Sequence, residues 1–539
     1  MVAQHKNAPP PDRGTAAYEV AVVGGGIIGS AVAYGLAKEG WRVALLDAAS
    51  PVDRASRANM GIIYCQCKFL HHPDFVRWHL DSSALFPELV PELEELTGIR
   101  IFYRPGGGLV PCLGEEEFEQ RTAYVNGLQK EAGGHYPGSV VGRNELEKLM
   151  PRVRFGPEVT GSAWCSADGL LEPLQLMFAL RKGAGLLGAA LRFNFRVDTV
   201  SVADGLYRLS AGQETVEAER VVLAGGLSNR RLVRLIPGSD LHLPLFPDRG
   251  QILLTGRIED VLPYPIAGIT RTPGGTIMLG FRRERAGTDP RIRPEGVIHE
   301  GRWALRVMPD LATLRIIRSW SGLRVMPDDW LPLYDTVPGH PRVYVLNVQP
   351  AVTLAAIHVK TLPGFVMGGP LPADARRFGL SRFASPCYCS TISRFSAGSF
   401  TTMWDTNGEK SFRLHRNANR AYASSRAWSA AVRNGYPAVR CGSRSLAGSS
   451  TAGKEFPRKP APGASSPLPA QWNAQSPFGA GRCPASWARA ARTSCCGQAW
   501  FRPVRWCWRA TAPCSHCSAA ISSVSASRSL ACSTLAQWA

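Results

Sequence analysis

The chain has 539 residues, more than one hydrophobic core usually serves, so at least two domains are expected. Its formal charge of +20 is unevenly placed: residues 386–539 hold 19 Lys and Arg against Asp405, Glu409 and Glu455, a net of +16, which leaves +4 for residues 1–385. The basic balance therefore belongs to the C-terminal part and is no nucleic-acid footprint of the whole chain.

Cysteine divides in the same way, with Cys65, Cys67, Cys112 and Cys165 in the first part and ten of the fourteen after residue 386. Four scattered thiols suit a reducing cytoplasm. Met1 to Thr15 is polar and carries Pro9-Pro10-Pro11, with no apolar segment of a secretory signal, and no run of about 18 apolar residues occurs. A cytoplasmic protein is expected, with peripheral attachment to the inner membrane left open and no transmembrane segment.

In chain order, a flexible N-terminus (1–17) precedes Tyr18 to Val23, a short β-rich run that ends in glycines. Ile28 to Lys38 then has helical character and Arg42 to Leu46 is a second apolar strand, which completes a β-α-β unit. Helical spacing returns from Asp81 to Leu96, interrupted by prolines, and from Leu174 to Ala190. Strand-like runs follow at Val197–Val202, Tyr207–Leu209, Val221–Leu223, Gln251–Thr255, Thr276–Phe281 and Val343–Asn347. The mixture predicts an α/β protein: a parallel, Rossmann-like nucleotide-binding sheet with a second α+β domain on a larger mixed sheet.

The turn Gly24-Gly25-Gly26-Ile27-Ile28-Gly29 sits between the first strand and the first helix. Gly24 permits the tight turn, Gly26 lets a pyrophosphate approach the helix N-terminus, and Gly29 lets helix and strand pack closely. Asp47 closes the second strand 18 residues after Gly29, where a carboxylate can accept ribose hydroxyls. The spacing indicates a dinucleotide and leaves FAD or NAD open. Cys65 and Cys67 form a C-x-C pair without a second pair at zinc-like spacing, so no metal site is expected.

Ser56-Arg57-Ala58-Asn59-Met60-Gly61 resembles the segment with which D-amino acid oxidase-like flavoproteins hold the FAD pyrophosphate and flavin. Asp168-Gly169 with Pro173, the glycine turn Val221 to Gly226, Arg249-Gly250-Gln251 and Trp320-Ser-Gly322-Leu-Arg324-Val-Met-Pro327-Asp328 are similar to further elements of that family, in order, over residues 18–383. Tyr64 to Lys68 and the Trp78 helix look most like the FAD subunits of opine oxidases, D-hydroxyproline dehydrogenases and hydrogen cyanide synthase, with glycine and sarcosine oxidases next. The resemblance implies non-covalent FAD, with Gly24, Gly26, Gly29, Asp47, Ser56, Arg57, Asn59, Gly61, Val197, Gly225, Gly322, Val352, Thr353 and Leu354 around it. It places the FAD-binding part at approximately residues 18–80, 145–235 and 320–368, with the substrate part interleaved.

For the activity, the resemblance implies oxidation of the C–N bond of an amino acid or secondary amine (opine, D-hydroxyproline, sarcosine or glycine-like). Arg324 would bind the substrate carboxylate, a task that suits its planar fork; its alternative is a structural pair with Asp328 or a strand-end carbonyl. Gln66 and Lys68 stand open between function and an ordinary loop, and Arg271 and Glu284 stay unassigned. A second flavoprotein or iron–sulfur subunit encoded nearby is the expected partner. One departure stands out: where the family reads His-Ser-Gly-Val-Thr-Leu-Ala, this chain reads Gln349-Pro350-Ala351-Val352-Thr353-Leu354-Ala355. Pro350 has no N–H to offer a flavin, so an inactive product of a disrupted gene that still binds FAD is the competing reading. His358, further along, is expected to be packed or at the surface.

Residues 384–539 are rich in Ser, Ala, Arg, Cys and Trp and hold eight of the fourteen tryptophans, which neither a core pattern nor a disordered composition explains. Out-of-frame translation of a neighbouring gene does. A one-base offset turns the GTG and CTG codons of Val and Leu into Cys and Trp; read back, Trp506-Cys507 and Trp500-Phe501 force valine, and Cys507-Trp508 and Cys495-Cys496 force leucine. The tail is accordingly expected to lack a fold and to be dispensable for FAD binding.

Overall fold

The computed structural model describes residues 17–48, 55–66 and 72–383; the tail, Cys67 and Lys68 lie outside the described residues. The strand Tyr18–Val23 pairs in parallel with Val43–Asp47, from Val20↔Val43 to Val23↔Leu46. Ala190–Phe193 extends this sheet beyond Val43–Asp47, while Glu214–Leu223 and then His340–Asn347 extend it on the other side, all in parallel. Leu333–Val337 closes that side antiparallel. The alternation of side chains along each strand serves two cores. Val20, Val22 and Leu45 face the helices Ile27–Lys38, Pro173–Leu186 and Ala355–Val366, and Ala21, Val23 and Leu46 face Val197, Leu209 and Leu232. Burial on both faces is what a parallel sheet requires and explains the near-continuous apolar run Glu19-Val-Ala-Val-Val23 after its first residue.

The second sheet begins with the antiparallel pair Leu245–Arg257 and Ile316–Pro327, in register from Leu245↔Pro327 to Thr255↔Ile316. Thr276–Leu279 and Ile269–Arg271 continue it. A parallel bridge, Leu109↔Ile266, links it to Gly108–Leu113, Val159–Cys165 and Gly138–Gly142, so the whole sheet is mixed. The helix Pro294–Val307 covers it through Trp303, Ala304 and Val307. The expected mixed sheet is present; within the stretches expected for the FAD-binding part, Val159–Cys165 and Ile316–Pro327 run in the second sheet, and the nucleotide sheet resumes at Leu333.

Local differences have physical causes. Pro73–Thr97 is one helix through Pro87 and Pro91; both prolines are solvent-exposed, on the side where a curved helix can give up a hydrogen bond. The helix expected to reach Ala190 ends at Leu186, and Gly188, at φ +98°, turns the chain into the strand Ala190–Phe193. No helix among the described residues is long and apolar enough to cross a membrane.

Candidate active site

A cleft of about 630 Å³ opens along the carboxyl ends of the parallel strands and runs to the second sheet. Of the residues singled out in the sequence, Gly24, Gly26, Asp47, Ser56, Asn59, Val197, Gly225, Gly322 and Val352 line it. Gly29, Arg57, Gly61, Thr353, Leu354 and Arg324 are not in its wall. Ala48, Phe195, Arg196, Arg231 and Asn347 also line it, and single-strand periodicity gives no sign of them.

The glycine turn is shaped by what side chains would strike. Gly24 has φ +110°, and a Cβ there would come within 2.6 Å of the Ala224 carbonyl oxygen. A Cβ on Gly29 would run into the Gly24 carbonyl, so this glycine lets the helix sit against the strand. Gly26 differs: the nearest atom to its missing Cβ is Ser56 Oγ at 3.4 Å, on the open side of the cleft. The helix has no cap from its own N-cap residue; Ser56 Oγ accepts the Ile27 N–H at 3.2 Å. Free N–H groups at a helix start, with an uncharged and side-chain-free approach, fit a pyrophosphate.

Asp47 is buried, and its Oδ2 accepts the Gly25 N–H at 2.8 Å. The Arg181 guanidinium lies 3.3 Å from the same oxygen and also donates to the Gly25 carbonyl. The carboxylate expected to meet a ribose thus also braces the glycine turn, and Arg181, from the helix Pro173–Leu186, is a partner the sequence does not announce. Arg231 donates to the Val197 carbonyl at 2.9 Å and fixes that wall, although Val197 precedes the strand, which starts at Thr199.

At the other end, Asn59 Oδ1 accepts the Gly61 N–H at 2.7 Å, and Gly61 packs on the Leu171 carbonyl with φ +76°. Asp168 accepts the Cys65 N–H at 2.6 Å and the Gln66 side-chain amide at 2.6 Å, so Gln66 ties its segment to the Asp168-Gly169 turn rather than lying on a free loop. Thr353 Oγ1 accepts the Tyr64 N–H at 3.0 Å, and the Thr353 carbonyl accepts Ser82 Oγ–H at 2.6 Å. Thr353 and Leu354 are fully buried and hold the start of the helix Ala355–Val366 in place. His358 is also fully buried: Trp78 Nε1–H donates to Tyr334 Oη at 3.2 Å, which sends the hydroxyl proton to His358 Nε2 at 2.8 Å. Burial pulls His358 down to about 3 and pushes the Tyr334 phenol up, which makes this a neutral packing chain.

Arg324 lies opposite Asp248 across the long antiparallel pair, with Nη1 3.4 Å from Asp248 Oδ2. Its partner is neither Asp328 nor a strand-end carbonyl. The guanidinium lies flat over Gly250, where a Cβ would meet Nη2, Cζ and Nη1 at 2.5 to 2.8 Å. Gly322, on the same strand, packs against Ala58 of the Ser56 segment, so this face of the sheet adjoins the cleft. Arg249 grips Glu284 with Nε at 2.8 Å and with Nη2, while Gln251 Nε2 reaches the other Glu284 oxygen at 2.9 Å. This knot fastens the segment before Pro290, which itself lines the cleft. Glu284 is therefore a brace; Arg271 pairs with Asp260 at 3.4 Å, away from Arg324.

A family model described as FAD dependent oxidoreductase matches residues 19–360. One chain of the opine oxidase of Agrobacterium tumefaciens (strain Ach5) is 33% identical over 369 residues, covering 68% of this chain and 98% of that protein. The corresponding opine oxidase chain of Rhizobium meliloti is 35% identical over 372 residues, again covering 68% and 98%. The crystal structure of glycine oxidase from Geobacillus kaustophilus superposes with a TM-score of 0.62 at 26% identity, covering 68% of this chain and 99% of that one. The chain belongs to the DAO family of FAD-dependent oxidoreductases.

Proposed function

We propose that the enzyme oxidises the carbon–nitrogen bond of a carboxylate-bearing amino acid or secondary amine of the opine, D-hydroxyproline, sarcosine or glycine kind. The observation that carries this reading is the Arg324 guanidinium, laid over Gly250 on the sheet face that adjoins the cleft. The names of the similar proteins, opine oxidase and glycine oxidase, support it.

The residues present fit FAD. Gly24 and Gly26 with Ser56 and Asn59 would hold the pyrophosphate, and Asp47, Val197 and Gly225 the adenosine. Gly322 and Val352, which line the cleft, would hold the flavin, with the buried Gly61, Thr353 and Leu354 supporting that end from behind. When bound, FAD supplies the acceptor for a hydride from the carbon next to the amine nitrogen. Arg324 fixes the substrate carboxylate and with it the position of the reacting carbon, which is where an enzyme gains from orientation. The knot of Arg249, Gln251 and Glu284 holds in place the segment that leads to Pro290 in the cleft wall. A substrate that arrives with a neutral amine needs no protein base, and the imine formed hydrolyses in water. A second, different chain is proposed as the partner, since the similar opine oxidase chains are each named as one subunit of their enzyme.

An enzyme that holds FAD without turnover is the second reading, and Gln349-Pro350 favours it because Pro350 offers no backbone donor at the edge of the cleft that Gln349 and Ala351 line. Anaerobic addition of candidate amines to the yellow protein separates the two. Bleaching of the flavin absorbance by a carboxylate-bearing amine is expected; a protein that stays yellow with every candidate overturns the oxidase reading. A protein that stays colourless after refolding with excess FAD overturns the FAD fit.

A further inference from the structure

The Asp248 carboxylate is 3% exposed and shared between two guanidinium groups. Arg283 meets its Oδ2 with Nε and Nη2, both at 2.7 Å, and Arg324 Nη1 lies 3.4 Å from the same oxygen. One negative charge thus faces two positive ones. Neither arginine has another hydrogen-bond acceptor among the described residues, and their side chains keep 22% and 29% exposure. Arg283 is also held in orientation: its guanidinium carbon lies 3.8 Å over the Trp330 ring, and Arg285 stacks in the same way 3.7 Å over Phe246, whose ring is 6.5 Å from that of Trp330. Burial lowers Arg283 to about 10, Asp248 opposes the fall, and the positive charges of Arg324 and Arg285 add to it. The arginine stays charged at neutral pH.

A planar, stacked and still charged guanidinium with its Nη1 edge unoccupied is built to recognise a carboxylate. Its neighbour on Asp248 is the arginine proposed to hold the substrate carboxylate. We infer that Arg283 is a second carboxylate-binding residue beside Arg324, so that the preferred substrate carries one carboxylate on each side of its amine, as an N-carboxyalkyl amino acid does. This inference rests on the proposed role of Arg324. Asp248 then serves as the positioning residue that sets the two forks side by side.

Redox-inert ethers test it without turnover. Diglycolate replaces the nitrogen of iminodiacetate by oxygen and keeps two carboxylates; methoxyacetate does the same for sarcosine and keeps one. Titration calorimetry on the FAD-loaded protein should show diglycolate binding at least tenfold more tightly than methoxyacetate. In Arg283→Gln the ratio should fall towards one while methoxyacetate affinity stays within about twofold, and in Arg324→Gln both ligands should weaken. Arg283→Lys, which keeps the charge and loses the fork, should give an intermediate ratio, and it decides the matter if the glutamine variant fails to retain FAD. A wild-type ratio near one, or a ratio untouched by both Arg283 substitutions, overturns the second site. If Arg324→Gln leaves both affinities unchanged while Arg283→Gln still abolishes the preference, the role of Arg324 fails and the Arg283 site stands.

Discussion

The two ends of the cleft are made from opposite materials. At the nucleotide end the working surface is backbone: Gly24, Gly26 and Gly29 contribute by what they lack, and the one carboxylate, Asp47, is turned onto the Gly25 N–H. At the second sheet the working surface is side chain: Asp248 and Arg324 stand on paired strands with Arg283 beside them, and the geometry of one charge depends on the placement of the others. The first kind of site fails when a side chain is added. The second fails when one is removed or displaced.

The largest effect is therefore expected within the glycine turn, where Gly29 and Gly26 should fail in different ways. Gly29→Val forces a branched side chain into the Gly24 carbonyl, and a backbone atom cannot step aside, so soluble folded protein should be lost. Gly26→Val has room for its first carbon, 3.4 Å from Ser56 Oγ, and should fold. Its methyl groups would occupy the approach to the helix N-terminus, so the purified protein should be colourless. Circular dichroism and flavin absorbance distinguish the two outcomes; a yellow Gly26→Val protein would show that the pyrophosphate does not lie there.

At the second sheet, Arg324→Ala should raise KM and lower kcat/KM by about a hundredfold or more, since the loss of a charged hydrogen-bond partner costs roughly 3 kcal/mol. FAD content should be unchanged, and Arg324→Lys should recover only part of the activity. Wild-type kinetics in the alanine variant would make the residue structural. Gly250→Ala asks the same question more gently. The new methyl group meets the guanidinium at 2.5 to 2.8 Å, and because Arg324 is the far end of a flexible side chain it can move, so folding should survive while kcat/KM falls by about tenfold. Unchanged kinetics would show that the flat pose of Arg324 is not the one that binds substrate.

The contrast between backbone and side-chain surfaces also explains what can be read from the sequence. Gly24, Gly26 and Gly29 are legible because a strand–turn–helix unit admits few residues at those points, and the strand ends place Asp47 by geometry. Arg181 and Arg231 are invisible there because each reaches its partner from an element distant in sequence, 156 residues from Gly25 in the case of Arg181. In the second sheet, Arg249-Gly250-Gln251 stands out as a segment of family character, but only the register Gly250↔Gly322 and Asp248↔Arg324 shows why its glycine and its neighbouring aspartate matter. Ile316–Pro327 makes a related point: a strand that adjoins the cofactor cleft through Gly322 can still belong to the other sheet. The cause of the Gln349-Pro350 departure is not in the structure.

The smallest expected effect tests the support beneath the arginines. Glu300 is fully buried on the helix Pro294–Val307, and its two oxygens accept the Phe281 N–H at 2.7 Å and the Arg282 N–H at 2.6 Å, which pins the turn that leads into Arg283. Burial raises this carboxyl from 4.5 to about 7, against the pull of the two N–H donors and of Arg324 and Arg282. A carboxyl whose pKa is higher in the folded than in the unfolded state favours folding when protonated. Its contribution is therefore complete below the unfolded pKa, near 4.5, and is lost as the pH rises through 7. Glu300→Gln cannot ionise, so the melting temperature of the wild type relative to this variant should be highest near pH 5 and should decline by a few degrees towards pH 8. A difference that is flat with pH, or that grows as the pH rises, would mean that the two backbone donors outweigh burial and that Glu300 is ionised throughout.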